Sequence, residues 1–323
     1  MTLPELTAEL NYFTATVEAI SLTLYVALEN EEGVDQLRIA DIDEDTAQEL
    51  MEMFLGQLTS QVLQNVELSL MDISSADDRS NAIYQYDLGQ RPIDLELMTT
   101  LLANDEHPEF EPTTENFEKI KAFLISIGNE QRKLILYKNR HRLNLIKGGN
   151  AFAVWVGNNR LERFRGDLIK LSSAIDFLQI GQSLIILNLK TLESTFGFEQ
   201  AIRHKAALNI ALIEAANILE DIAPLTAMAE DLRSAKRLMK IRTNSPVLQL
   251  PVAEVVQFVS NHPPIMRKFR LSEDGTRLKL DTNVSKKLFL DLLNDDLLTS
   301  ELTKRYYMGR AKDNMEVAAE VAN

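Results

Sequence analysis

Residues 120–139 read IKAFLISIGNEQRKLILYKN, and two apolar runs stand out in them, Ile120–Ile127 and Lys133–Tyr137. Both are short and rich in Ile, Leu, Phe and Tyr, which predicts strands rather than helices. Four more runs follow at Ala151–Val156, Leu161–Phe164, Leu168–Leu171 and Leu184–Leu189. Turn signals at Gly148-Gly149, Gly157-Asn158-Asn159 and Gly181-Gln182 separate them. Short strands punctuated in this way predict a central, mostly antiparallel sheet.

Toward the N-terminus, Leu22–Leu28 reads as a strand, and residues 45–63 carry Leu50, Met53, Phe54, Leu58 and Val62 at helical spacing. Ile83–Asp87 alternates as a strand does, and Pro92 fits the first turn of a helix through Leu102. A loop rich in Asp, Glu and Pro covers 104–114. Toward the C-terminus the period turns helical, over 198–219 and again over 225–241. Val252–Val259 makes a further helix, stopped by His262-Pro263-Pro264. Residues 269–280 predict a hairpin turning at Asp274-Gly275, residues 285–304 a final helix, and the last dozen residues a frayed tail. The fold class is therefore α+β: an acidic N-terminal α/β part, a central mostly antiparallel sheet and a helical C-terminal part.

Charge divides the chain at the same loop. Residues 1–114 hold 24 acidic side chains against Arg38, Arg79 and Arg91, whereas residues 115–323 hold 24 acidic against 31 basic ones. The division into 1–114 and 115–323 follows that boundary. A whole-chain charge of -14 argues against a nucleic-acid partner, but a net of +7 beyond residue 114 keeps one open.

Composition closes several other routes. With no cysteine there are no disulfides, thiolate metal sites or thiol nucleophiles. The four histidines stand singly, without metal-ligand spacing, so no metal or cofactor is expected. The acidic N-terminus lacks the form of a signal peptide, and no stretch approaches the ~20 apolar residues of a membrane span. The expectation is a soluble, cytoplasmic protein.

Catalytic signatures are missing: no phosphate-binding glycine loop, no dinucleotide fingerprint, no GxSxG elbow and no HExxH. One fragment resembles a metal-dependent nuclease core, Asp176 followed by the strand-like LIILNLK at 184–190. Such a core needs a second carboxylate beside the lysine to hold Mg²⁺, and Asn188 stands in that place. An enzyme using Asp176 and Lys190 is thus the alternative reading, and a core strand ending in a solvated lysine is the plain one. The pairs Asp77-Asp78 and Asp295-Asp296 suit caps and solvated loops better than catalysis.

Basic clusters carry the positive signal. Residues 131–150 contain Arg132, Lys133, Lys138, Arg140, Arg142 and Lys147 and no acid, and Arg160, Arg163, Arg165 and Lys170 extend the run. In an extended segment Lys138, Arg140 and Arg142 share one face. Arg233, Lys236, Arg237 and Lys240 follow helical spacing and predict a ridge. Such strips suit duplex phosphates, bound without regard to sequence. They equally suit docking on the acidic third, in cis or across a dimer.

Several stretches also resemble a known family. They are NAIYQYDL at 81–88, SSAIDF at 172–177 leading into 184–189, FGFE at 196–199, KRLMK at 236–240 with SPV at 245–247, and LNDDLLTSELT at 293–303. In this order they resemble the KwaB family of the Kiwa anti-phage defence system. The resemblance implies a cytoplasmic protein that binds double-stranded DNA and acts with a membrane-embedded partner, KwaA. It further implies a block on phage DNA replication and late transcription, and a homodimer or higher homo-oligomer. It carries no catalytic residues across. The DNA contacts therefore rest on charge: Lys138, Arg140, Arg142 and Lys147, with Lys119, Lys121 and Arg160 beside them, and Lys236 and Lys240 as a second wall.

Overall fold

The computed structural model describes residues 1–29, 36–76, 81–89, 91–104, 106–112, 114–140, 145–146, 153–157, 160–164, 168–241 and 245–309. The chain divides into two compact units, the first made of Met1–Leu70, Asn81–Tyr86 and Arg91–Phe196, the second of the remainder. The α+β class holds.

The strands of the first part of the chain are β1 (Ser21–Leu28), β2 (Gln36–Ile39), β3 (Ser69–Asp72), β4 (Ala82–Gln85), β5 (Ile120–Gly128) and β6 (Lys133–Asn139). After them come β7 (Leu145–Ile146), β8 (Ala153–Gly157), β9 (Arg160–Phe164), β10 (Leu168–Ile169), β11 (Phe177–Ile180) and β12 (Ser183–Ile186). Eight form one sheet in the order β2-β1-β5-β6-β11-β12-β4-β3, while β7 pairs with β10 and β8 with β9. Every strand pair with a defined register is antiparallel, so the sheet expected from residues 120–139 is present. The charge boundary at residue 114 falls inside the first unit, because β1 pairs with β5 along its whole length.

Both faces of this sheet are buried, which is why its strands read as apolar runs rather than as alternation. On one face Val26, Phe123, Ile125, Leu136, Leu178 and Ile185 meet Leu6, Leu10 and Phe13 of α1 (Leu3–Ala15) and Phe54, Leu55 and Leu58 of α2 (Glu44–Leu58). On the other face Tyr137, Phe177 and Phe196 form a cluster with ring centroids 5.3–5.6 Å apart. There α3 (Ile93–Ala103) packs on β6, tied down by Arg91, which donates to Thr99 Oγ1 at 3.0 Å and to Gln179 Oε1 at 3.2 Å.

In a hairpin the turn geometry helps fix the register, and the β5–β6 turn is held by its own hydrogen bonds. The Asn129 N–H donates to Arg132 O at 2.9 Å, and Asn129 Oδ1 accepts from the N–H groups of Gln131 and Arg132 at 3.0 Å each. Gly128 precedes it with φ +151°, and a Cβ there would lie 2.1 Å from Arg132 O. Gly128→Ala is therefore expected to destabilise the first unit by more than about 2 kcal/mol, measured by urea unfolding, whereas alanine at exposed Gly56 in α2 is expected to do no harm.

The helices continue with α4 (Thr114–Lys119) and α5 (Leu189–Thr195) in the first unit. The second unit holds α6 (Phe198–Ala215), α7 (Ala223–Met228), α8 (Leu232–Met239), α9 (Pro246–Gln249), α10 (Val252–Asn261) and α11 (Asn283–Leu293). It also holds two hairpins, β13 (Arg270–Leu271) with β14 (Leu278–Lys279), and β15 (Leu297–Thr299) with β16 (Tyr306–Met308). The first of these is the one expected at Asp274-Gly275. Asn209 of α6 is fully buried, and its Nδ2 lies 2.8–3.1 Å from the carbonyl oxygens of Leu238, Met239 and Ile241, closing the end of α8.

Four expectations are corrected. The run 184–189 is not one strand: β12 stops at Ile186, and Asn188 caps α5 by accepting from the Thr191 N–H. The helix expected over 225–241 is two, broken where Asp231 caps α8 through the Ser234 N–H at 2.9 Å. The final helix ends at Leu293 rather than residue 304, because Asp295 turns left-handed at φ 56° and leads into β15. Residues 177–180, not anticipated as a strand, form β11 at the centre of the sheet. The expected tail beyond residue 311 and the turn at Gly148-Gly149 lie outside the described residues.

Candidate nucleic-acid interface

The structure brings three of the basic residues to one end of β5 and β6. Lys119 closes α4, Lys121 follows at the start of β5, and the Arg140 N–H donates to Lys121 O at 3.1 Å. The Arg140 guanidinium lies across this junction, with Nη1 donating to Glu118 O at 2.9 Å and to Ile120 O at 2.7 Å. Arg140 thus caps the last turn of α4 and holds Lys119 and Lys121 in place. Beyond it residues 141–170 carry six basic side chains against Glu162 and Asp167. Arg160 opens β9, opposite Gly157 of β8. Arg142 and Lys147 lie outside the described residues.

Lys138 is corrected. Lys138 stands on the face of β6 that carries Leu134 and Leu136 into the core. Lys138 is 2 % exposed, and its Nζ donates to Ser172 Oγ at 2.8 Å and Ala174 O at 2.7 Å. Burial pushes its ammonium below the usual lysine range, and the Asp176 carboxylate pulls the other way. A lysine held like this has no reach to a phosphate.

Asp176, the residue singled out for a nuclease, lies in the same place and is 5 % exposed. Its Oδ2 accepts from the Asn139 N–H at 2.8 Å, and its Oδ1 from Asn188 Nδ2 at 2.8 Å and Thr191 Oγ1 at 2.7 Å. Its backbone joins β6 through Tyr137 O and accepts from the N–H groups of Leu187 and Asn188. Asn188, which stood where the second acid of a metal site belongs, is a partner of this carboxylate and the cap of α5. Lys190 is exposed on α5 rather than at a strand end. Among the described residues no three His, Asp or Glu side chains are grouped to hold a metal ion. Asp295 and Asp296 sit in the turn between α11 and β15, and Asp77-Asp78 lies outside the described residues.

The six basic residues of 131–150 do not form one strip. Arg132 and Arg140 sit at opposite ends of β6, about 26 Å apart at ~3.3 Å per residue. Arg132 turns to α1, 3.9 Å from Glu9 and over the Tyr12 ring at 4.4 Å from its centroid. In the second unit, Arg237 of the α8 ridge pairs with Asp291 of α11. Lys236, next to Arg237 in sequence, and Lys240, the residue capping α8, are both half-buried.

Comparison with known proteins gives this arrangement a family. Residues 117–303 match the Kiwa protein KwaB-like family, from α4 to the tip of the last hairpin and over more than half the chain. The chain belongs to that family and is accordingly a component of the Kiwa anti-phage defence system, which implies partner proteins within the system. It is 28 % identical over 287 residues to the Kiwa protein KwaB of Escherichia coli O55:H7 (strain RM12579 / EPEC), covering 87 % of this chain and 91 % of that protein. No solved structure matches. Among the described residues no helix is long and apolar enough to cross a membrane.

Proposed function

We propose that the protein is a non-catalytic defence effector that grips double-stranded DNA through phosphate neutralisation and is recruited to the inner membrane by KwaA, working as a homodimer or higher homo-oligomer. The observation that carries the DNA reading is the gathering of Lys119, Lys121 and Arg140 where the chain enters its most basic stretch. Arg142, Lys147 and Arg160 extend the grip, and Lys236 and Lys240 add a basic ridge in the second unit. Contacts to phosphate position a protein on duplex DNA without reading its sequence.

The acidic third acts in this reading as a regulator of access. Its α1 and α2 carry no basic residue, and Glu9 of α1 already engages one of the basic side chains, Arg132.

The triple variant Lys121→Glu, Lys147→Glu, Arg160→Glu tests the grip. Each lost phosphate contact lowers the salt slope of duplex binding by about 1, so the slope is expected to fall by about 3 and affinity by at least about tenfold. Unchanged duplex affinity, with capture of KwaA lost instead, would assign the basic face to the partner. Arg140 is left intact in this variant because it holds the α4–β5 junction together. The nuclease alternative is tested at exposed Lys190, whose replacement spares the fold: plasmid cleavage with Mg²⁺ or Mn²⁺ that disappears in Lys190→Ala would establish an enzyme.

A further inference from the structure

We propose that the β15–β16 hairpin, with the end of α10, binds single-stranded nucleic acid by stacking unpaired bases on exposed tyrosines. This surface lies in the second unit and does not depend on the duplex reading.

The rings come first. His262, the C-cap of α10, is stacked on Phe258 at 4.6 Å between centroids, and the Tyr306 and His262 rings meet edge-to-face at 4.9 Å. The middle ring is buried at 8 % exposure, while Phe258 and Tyr306 remain 39 % and 46 % exposed. Tyr307, on the opposite face of β16 and across from Leu298, is 52 % exposed. Phe258 and Tyr306 are thus exposed aromatics held against a buried imidazole, and Tyr307 adds a third exposed ring on the other face of the hairpin.

Cations flank them in sequence. At the hairpin tip the Ser300 N–H donates to Arg305 O at 2.9 Å, the Lys304 N–H to Ser300 O at 2.8 Å and the Thr303 N–H to Ser300 Oγ at 3.1 Å. This locked turn presents Lys304 and Arg305 to solvent. After His262 the chain turns on its carbonyl, which accepts from the N–H groups of Ile265 and Met266, and exposed Arg267 and Lys268 follow. None of these four cations forms an ion pair with a described residue. Glu301 is the hairpin's one carboxylate.

An apolar protein segment would leave those four charges unmatched, whereas a polyanion with flat apolar groups answers both features. Single-stranded nucleic acid has that chemistry: each base offers a face to an aromatic ring, and its phosphate lies within reach of a neighbouring cation. A duplex hides its base faces, so stacking on Tyr306 and Tyr307 selects unpaired strands.

Fluorescence anisotropy of the full chain with labelled 20-nucleotide oligothymidylate, oligouridylate and a duplex of equal length tests the proposal. Tyr307→Ala is expected to weaken oligothymidylate binding about 5- to 100-fold and Tyr307→Trp to preserve it, with duplex affinity unchanged. Lys304 has φ 54°, so Lys304→Gly removes the charge from a backbone that suits glycine and is expected to weaken single-strand binding without altering the melting curve. The oligouridylate arm separates RNA from DNA as the source, and binding of either supports the surface. Three results would overturn it: no single-strand binding by the parent chain, Tyr307→Ala binding as the parent does, or single-strand and duplex affinities falling together. Loss of KwaA capture with oligonucleotide binding intact would reassign the surface to a protein.

Discussion

Asp176→Ala is expected to destabilise the first unit by about 3–5 kcal/mol, a drop of about 10 °C in its melting temperature. The substitution orphans three donors at once: the Asn139 N–H, Asn188 Nδ2 and Thr191 Oγ1. It also removes the carboxylate that offsets the burial of Lys138. Asp176→Asn keeps an acceptor for Asn188 and Thr191 but turns an amide N–H toward the Asn139 N–H, so it is expected to fall between the parent and the alanine variant. Lys190→Ala, on exposed surface, is expected to stay within about 0.5 kcal/mol of the parent. Thermal melts of the three variants check the order. An Asp176→Ala variant that melts with the parent would contradict the assignment of Asp176 to the scaffold.

The same network shows how far sequence reasoning reaches. Apolar runs at 120–127 and 133–137 announce strands because side-chain composition is local. Which face of a strand is buried is not local, and a sheet covered on both faces leaves no alternation to reveal it. Lys138 therefore reads as a surface cation, yet it finishes the core-facing row Leu134, Leu136, Lys138. β11 escaped notice for a related reason. Gln179 interrupts its apolar pattern, and the partners that satisfy that amide, Thr99 and Arg91, are some eighty residues away in sequence. α1 was not anticipated, although its signal is local. Thr2 and Glu5 form a capping box with Pro4 in the first turn, and the signature is in the first five residues.

Asp176, Asn188 and Lys190 teach a sharper lesson. An acid followed by a strand and a lysine is the outline of a nuclease site, and only coordinates show that both carboxylate oxygens are already occupied. The basic junction was half legible. Lys119, Lys121 and Arg140 were visible as cations, but the role of Arg140 as a cap on α4 depends on carbonyls at Glu118 and Ile120 some twenty residues earlier.

The central claim is phosphate neutralisation, and its expected effect is large. Binding that engages six phosphates follows a log–log salt slope of about -5, so raising monovalent salt from 50 to 200 mM is expected to weaken duplex affinity about a thousandfold. The size of that change comes from released counterions and not from any single contact. Hence it survives the withdrawal of Lys138 as long as the cations beyond Arg140 take part. The most direct measurement is a titration of the purified full chain against one labelled duplex across this salt range. A slope near -5, unaltered when the duplex sequence is changed, is the predicted result. Affinity that does not move between low and physiological salt, or no duplex binding at low salt, would contradict the account.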